Sequence, residues 1–181
     1  MRFILIIIFS TLSLLNLFCE SSGNKHIFLS PGYSFPIFGH FSDFKSAAGV
    51  KFGYIKDIDD VLSFGFISSS YQYYKNKDMD IKLRIFSFNP VLFSWVGIST
   101  RNYFLYLGPG LYHISQPSSS IFSSSSTDEA GFRIGGGYVK NLSGKISVGS
   151  TIEFNHLFNM KTKNFDLGSV NLLSLSITVM Y

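Results

Sequence analysis

The sequence predicts an all-β chain: an eight-stranded antiparallel up-and-down transmembrane β-barrel that follows a short apolar leader. Three observations lead there. After the leader, apolar residues recur at every second position. The connections between these segments alternate between short and long. Aromatic residues make up 17% of the chain and charged residues only 14%. The 181 residues allow one domain, and 20 Phe with 10 Tyr exclude a disordered chain. One cysteine excludes a disulfide scaffold and a Cys-cluster zinc site. The net charge of +4 is diffuse, with no basic block among the aromatics, so no nucleic-acid partner is expected.

Met1-Arg2 is a short basic start, and the apolar run from Phe3 to Leu15 gives way to the polar Glu20-Ser21-Ser22-Gly23. Residues 1–21 therefore read as a signal peptide, with cleavage near 19–23, leaving 22–181 as the barrel. A membrane anchor needs about 20 apolar residues, and Asn16 interrupts the run. Cys19 admits a lipoprotein reading, but Phe18 stands where a lipobox has Gly, Ala or Ser. The simpler alternative is a cysteine discarded with the leader.

The first strand, near 26–38, sets Ile27, Leu29, Tyr33, Phe35 and Ile37 against Ser30, Gly32 and Ser34. In the second, near 47–56, Ala48, Val50, Phe52 and Tyr54 oppose Gly49, Lys51 and Gly53. The third, near 61–74, changes phase between Phe66 and Tyr71, and the fourth, near 79–97, meets Pro90. A bulge is expected in each. The fourth also sets Met79, Ile81, Leu83 and Ile85 against Asp80, Lys82 and Arg84. The fifth, near 103–115, has no clear phase, because Tyr103, Leu105 and Leu107 interleave with Phe104 and Tyr106. The sixth spans about 129–140. The seventh, near 145–158, sets Ile146, Val148, Ile152 and Phe154 against Ser147, Thr151, Glu153 and Asn155. The eighth, near 171–181, is the clearest, with Leu173, Leu175, Ile177, Val179 and Tyr181 opposite Ser174, Ser176 and Thr178.

Connections after the second, fourth and sixth strands are short, and those after the first, fifth and seventh are longer and polar. The 75–78 connection is the exception. Tight turns at one end and longer loops at the other are the habit of membrane barrels. A soluble lipocalin-like barrel is the competing reading, but its exterior needs Lys and Glu, whereas the polar face here is Ser, Gly, Thr and Asn. Tyrosines also fall at matching heights: Tyr54, Tyr103, Tyr138 and Tyr181 toward the turns, with Tyr71, Tyr73, Tyr74, Tyr112 and Phe158 toward the loops, as expected of two interfacial girdles.

Four segments carry a resemblance to a known family: Ser30-Pro31-Gly32-Tyr33, Tyr106-Leu107-Gly108-Pro109-Gly110-Leu111-Tyr112, Gly135-Gly136-Gly137-Tyr138, and the ending in which Leu175, Ile177, Val179 and Tyr181 alternate. Over residues 26–181 the chain resembles the small bacterial outer-membrane β-barrels of the OmpA/OmpX type. The resemblance implies an outer-membrane location with lipid as the surrounding partner. It also implies that the alternating ending is an assembly signal read by the barrel assembly machinery. It carries no catalytic residue; separately, no cofactor is expected, and the chain is expected to be a monomer.

An eight-stranded barrel is just wide enough to be filled by its own side chains, so no wide pore is expected. The inward set is expected to hold Lys51, Lys82, Arg84, Arg133 and Glu153, with Arg133 paired to Glu153 because unpaired charge in a narrow lumen is costly. His113-Ile114-Ser115, with Glu129 on the next strand, resembles the His-x-Ser site of lipid A deacylases. Gln116 stands where that family has Asn, and a rim histidine is the simpler reading. His26, His40 and His156 are too dispersed for a metal site, and the serine runs at 118–120 and 123–126 mark a solvated loop. The expected function is a structural or surface-interaction role in the envelope. The alternatives are a lipid-modifying hydrolase and a soluble lipid-binding barrel.

Overall fold

The computed structural model describes residues 24–76, 81–96, 102–119, 122–143, 145–164 and 166–181; the expected leader and its cleavage region lie outside them. Eight strands form one closed antiparallel barrel in sequence order. They are β1 (Lys25–Pro36), β2 (Ala47–Asp57), β3 (Leu62–Lys75), β4 (Lys82–Val96), β5 (Tyr103–Gln116), β6 (Ser125–Ser143), β7 (Ile146–Lys161) and β8 (Asp166–Met180). β8 closes on β1 with Leu29 opposite Val179 and Tyr33 opposite Leu175. β6 and β8 begin several residues earlier than the alternation indicated, so the walls stand taller at the loop end.

At the turn end, Asp59 Oδ1 accepts the N–H groups of Val61 and Leu62, both at 2.7 Å, and fastens the β2–β3 connection. These two N–H donors hold the exposed Asp59 carboxyl below its ordinary range. At the loop end a short 3-10 turn (His40–Asp43) follows β1. It drops Phe41 and Phe44 into the mouth, where their rings stack 4.6 Å apart and Phe41 lies 5.3 Å from the Tyr74 ring.

The alternation places apolar residues outside through the middle of the wall. Leu105, Leu107 and Ile177 are 58%, 58% and 62% exposed, and Leu29, Phe86, Leu92, Ile134 and Ile152 join them in a belt around the barrel. The interior is stratified. An apolar cluster of Tyr71, Tyr74, Ile81, Leu83, Ile85 and their neighbours fills the loop end. A second, with Phe28, Ile55, Phe93, Trp95 and Phe104, fills the turn end. Buried Ser, Thr, Asn and three charged residues occupy the layer between them.

This layering explains where the strand readings fail. In β3 the pairing with β4 is continuous from Leu62 to Tyr71, and the bulge falls between Tyr71 and Tyr74, where Tyr73 has a left-handed φ of 65°. The apparent phase change before Tyr71 arises because both faces are apolar there: Phe64 and Phe66 outward, Ile67 and Tyr71 inward. Pro90 carries no bulge. It pairs with Phe66 on one side, and the β4–β5 register is the same before and after it. The fifth strand resolves with Tyr103, Leu105 and Leu107 outside and Phe104 and Tyr106 inside. Among the expected girdle residues, Tyr103, Tyr181, Tyr73 and Phe158 are exposed, whereas Tyr71, Tyr74 and Tyr112 are buried.

Gly135 and Gly137 face inward under aromatic rings. A Cβ on Gly135 would stand 2.5 Å from the Tyr106 ring, and one on Gly137 2.7 Å from the Phe104 ring. Glycine here makes room for the rings that fill the lumen. Gly135→Val is expected to destabilise the barrel by about 1–3 kcal/mol through overpacking, measured as a lowered urea midpoint of the refolded protein followed by Trp95 fluorescence.

Candidate functional site

Glu153 sits at the centre of the polar layer. Strand period places Glu153 and Asn155 of β7 inward on consecutive rungs, opposite Gly135 and Arg133 of β6. Arg133 Nε and Lys51 Nζ, the latter from β2 across the lumen, each lie 3.5 Å from Glu153 Oε2. Tyr106 donates its hydroxyl to the same oxygen at 2.7 Å, and Asn155 Nδ2 donates to Oε1 at 2.8 Å. Arg133 also donates from Nε to Asn155 Oδ1 at 2.9 Å, and from Nη2 to Ser69 and Ser87 at 2.8 and 2.7 Å. Ser69 and Ser87 are themselves 2.7 Å apart. Tyr112 donates to Asn155 Oδ1 at 2.9 Å. Six strands, β2 to β7, thus meet on one carboxylate and one guanidinium, each about 1% exposed. On the β8 side, Ser30 and Thr151 bond Thr178, and Ser174 bonds Ser34.

A network of this kind ties the wall together across its lumen, and its charges are buried with partners, the condition under which burial is tolerated. The aromatic clusters at either end cover it. Alternation exposed Lys51, Arg133 and Glu153 as inward residues. The contributions of Tyr106 and Tyr112 were not legible, because an inward tyrosine in an aromatic-rich strand has no distinguishing pattern.

Lys82 and Arg84 do not belong to this cluster. Both are exposed on the outer face of β4, and Leu83 and Ile85 hold the interior between and beside them. The physical reason is a reversal along the strand: near its loop end the exterior is polar, so the apolar residues there turn into the core. Arg84 donates to the hydroxyl of Tyr73, and its guanidinium carbon lies 4.7 Å from the centre of that ring.

His113 also lies outside, with Nδ1 2.7 Å from Oδ1 of Asp128, its partner across the β5–β6 pair. Glu129 does not orient it. Glu129 lies opposite Tyr112, on the inward face, and accepts from Thr127 at 3.2 Å. Ser115 shares the outer face with His113, but no hydrogen bond joins the two among the described residues. A hydroxyl nucleophile needs that contact. Among the described residues no group of three or more His, Cys, Asp or Glu is placed to hold a metal ion. Leu175, Ile177, Val179 and Tyr181 form an exposed outward stripe, between 42% and 62% accessible.

The energetic weight of the interior network is open to direct measurement. Glu153→Gln removes the negative charge shared by Lys51 and Arg133 and is expected to destabilise the refolded barrel by about 3–5 kcal/mol, read from its thermal or urea midpoint. Adding Lys51→Met to that variant should recover part of the loss, because one uncompensated charge is removed with its partner.

No protein-family model matches the sequence, and no curated protein matches it. Solved structures do match. Neisserial surface protein A aligns with a TM-score of 0.62 at 16% identity, covering 86% of this chain and 95% of that one. The outer membrane protein OprG from Pseudomonas aeruginosa aligns with a TM-score of 0.59 at 9% identity, covering 88% and 97%. Ail, the attachment invasion locus protein of Yersinia pestis, solved with the heparin analogue sucrose octasulfate, aligns with a TM-score of 0.50 at 16% identity, covering 87% and 99%. At these identities what this chain shares with them is the fold, a closed eight-stranded antiparallel barrel.

Proposed function

We propose that this chain is an integral outer-membrane β-barrel with a structural or surface-interaction role and no wide pore. The observation that carries the reading is the continuous apolar belt on the outside of a closed barrel that holds a layer of buried polar groups within. A soluble binding barrel requires the opposite arrangement, with an apolar cavity and a charged exterior. In lipid a closed ladder and an apolar exterior are what the surroundings demand. The stratified interior, plugged by aromatic side chains at both ends, supports a wall without a solute path. The fold shared with Neisserial surface protein A, OprG and Ail supports the same location.

On this reading the short turns face the periplasm and the longer loops the cell surface. Residues 1–21 act as the export leader, and the outward stripe of β8 is available to the assembly machinery. The surface-interaction part takes support from Ail, whose structure holds a sulfated sugar. The hydrolase alternative lacks the His113–Ser115 contact and an orienting role for Glu129, so the non-enzymatic reading is preferred.

Membrane fractions washed with carbonate should retain the protein, and unboiled samples should migrate differently from boiled ones on a gel; recovery in the soluble fraction would overturn the reading. Leu107→Arg, in the middle of the belt, is expected to weaken the folded state in vesicles by about 2–4 kcal/mol. In the same assay Ser126→Arg, at the polar loop end, should change it by far less.

A further inference from the structure

We propose that a groove on the outer wall, between the loop ends of β4 and β5 and the segment leading into β6, binds a phosphate-bearing headgroup of the lipid that surrounds the barrel. The groove encloses about 440 Å³ and is lined by Arg84, His113, Ser115, Gln116, Ser125 and Ser126 among others. Arg84 stands directly across from Ser115. The bulge at Tyr73 turns that ring outward, and Arg84 rests on it while donating one N–H to its hydroxyl. The guanidinium is thereby held in place with further donors available, and its planar array of N–H groups matches phosphate oxygens.

A further observation points to an anion. Lys82, on the same outward face as Arg84, lies directly across the β3–β4 pair from Lys75, and both are exposed. Like charges facing each other across a ladder repel, and neither lysine is in an ion pair among the described residues. The carboxylate of Asp128 is engaged by His113, and Glu129 is on the inward face.

The height of the groove selects a lipid as the source of the phosphate. On the outward face of β4, Lys82 and Arg84 are followed by Phe86 and Phe88 of the apolar belt. The cations therefore stand one rung beyond the hydrocarbon, where headgroups lie, and the groove opens sideways on the wall. Each cation so placed contributes about 1 kcal/mol toward an anionic lipid surface, which corresponds to about fivefold in retention.

The inference rests on the membrane reading, and the test separates the two. The full chain is reconstituted in phosphatidylcholine vesicles containing a minority of phosphatidic acid, whose headgroup is a phosphomonoester. After flotation and transfer to mild detergent, native mass spectrometry counts the phosphatidic acid retained. The wild type should retain it, and Lys82→Gln and Arg84→Gln should each reduce retention about fivefold, with heat-modifiable mobility showing that each variant is folded. Arg84→Lys should keep most of it, and Lys140→Gln, at the opposite end of the barrel, should leave it unchanged. Equal retention by all variants overturns the groove. Inorganic phosphate that displaces phosphatidic acid mole for mole overturns the lipid as source, since the anion alone would then suffice. Protein that fails to float overturns the membrane reading itself, whereas floating protein with variant-independent retention overturns only the groove.

Discussion

On the proposed membrane reading, a wall that is apolar around its whole circumference leaves no place for an unpaired strand edge, because a backbone N–H or C=O facing hydrocarbon would cost several kcal/mol. Closure of β8 onto β1 is therefore the constraint on which the rest depends. The pairs Leu29–Val179 and Tyr33–Leu175 that make the seam also set its register. A slip of one residue would turn the stripe of Leu175, Ile177 and Val179 inward and bring Ser174, Ser176 and Thr178 to the outside. The two faces of β8 differ so sharply that only one closure suits both environments.

Closing eight strands leaves a lumen of side-chain width, and that width governs the chemistry inside. In a lumen that narrow, a buried polar group is costly unless a protein partner meets it. Glu153 is met by Tyr106 and Asn155, from which it accepts while facing two cations, and Arg133 is met through its Nε and Nη2, which reach Asn155, Ser69 and Ser87. Glycines on β6 let the Phe104 and Tyr106 rings lie flat across the wall, which is how Tyr106 comes to address the carboxylate of another strand. The lumen is a polar core sealed by two apolar ones.

Toward the loops the wall outgrows its apolar belt and reverses polarity. On β4 the outward series passes from Phe88 and Phe86 to Arg84 and Lys82, while the inward series passes from Asn89 and Ser87 to Ile85 and Leu83. The rim has the polarity of a small water-facing domain set on an apolar-walled barrel, with Phe41 and Phe44 closing its core. The cations and hydroxyls on its outside follow from the same reversal.

The eight strands, their approximate limits and the outward stripe of β8 were legible in the sequence, because a period of two is a local property of the chain. Lys51, Arg133 and Glu153 were legible as inward residues for the same reason. Lys82 and Arg84 were not, since alternation reports that two faces differ but not which one meets water, and that answer changes with height along the wall. The Tyr73 bulge, the rings of Tyr106 and Tyr112 that reach Glu153 and Asn155, and the pairing of His113 with Asp128 rather than Glu129 depend on register between strands. What the sequence by itself determined was the fold class and the two faces of each strand. Only closure of the barrel decided which residues meet across the lumen, because those contacts join positions far apart in the chain through a geometry that no single strand contains.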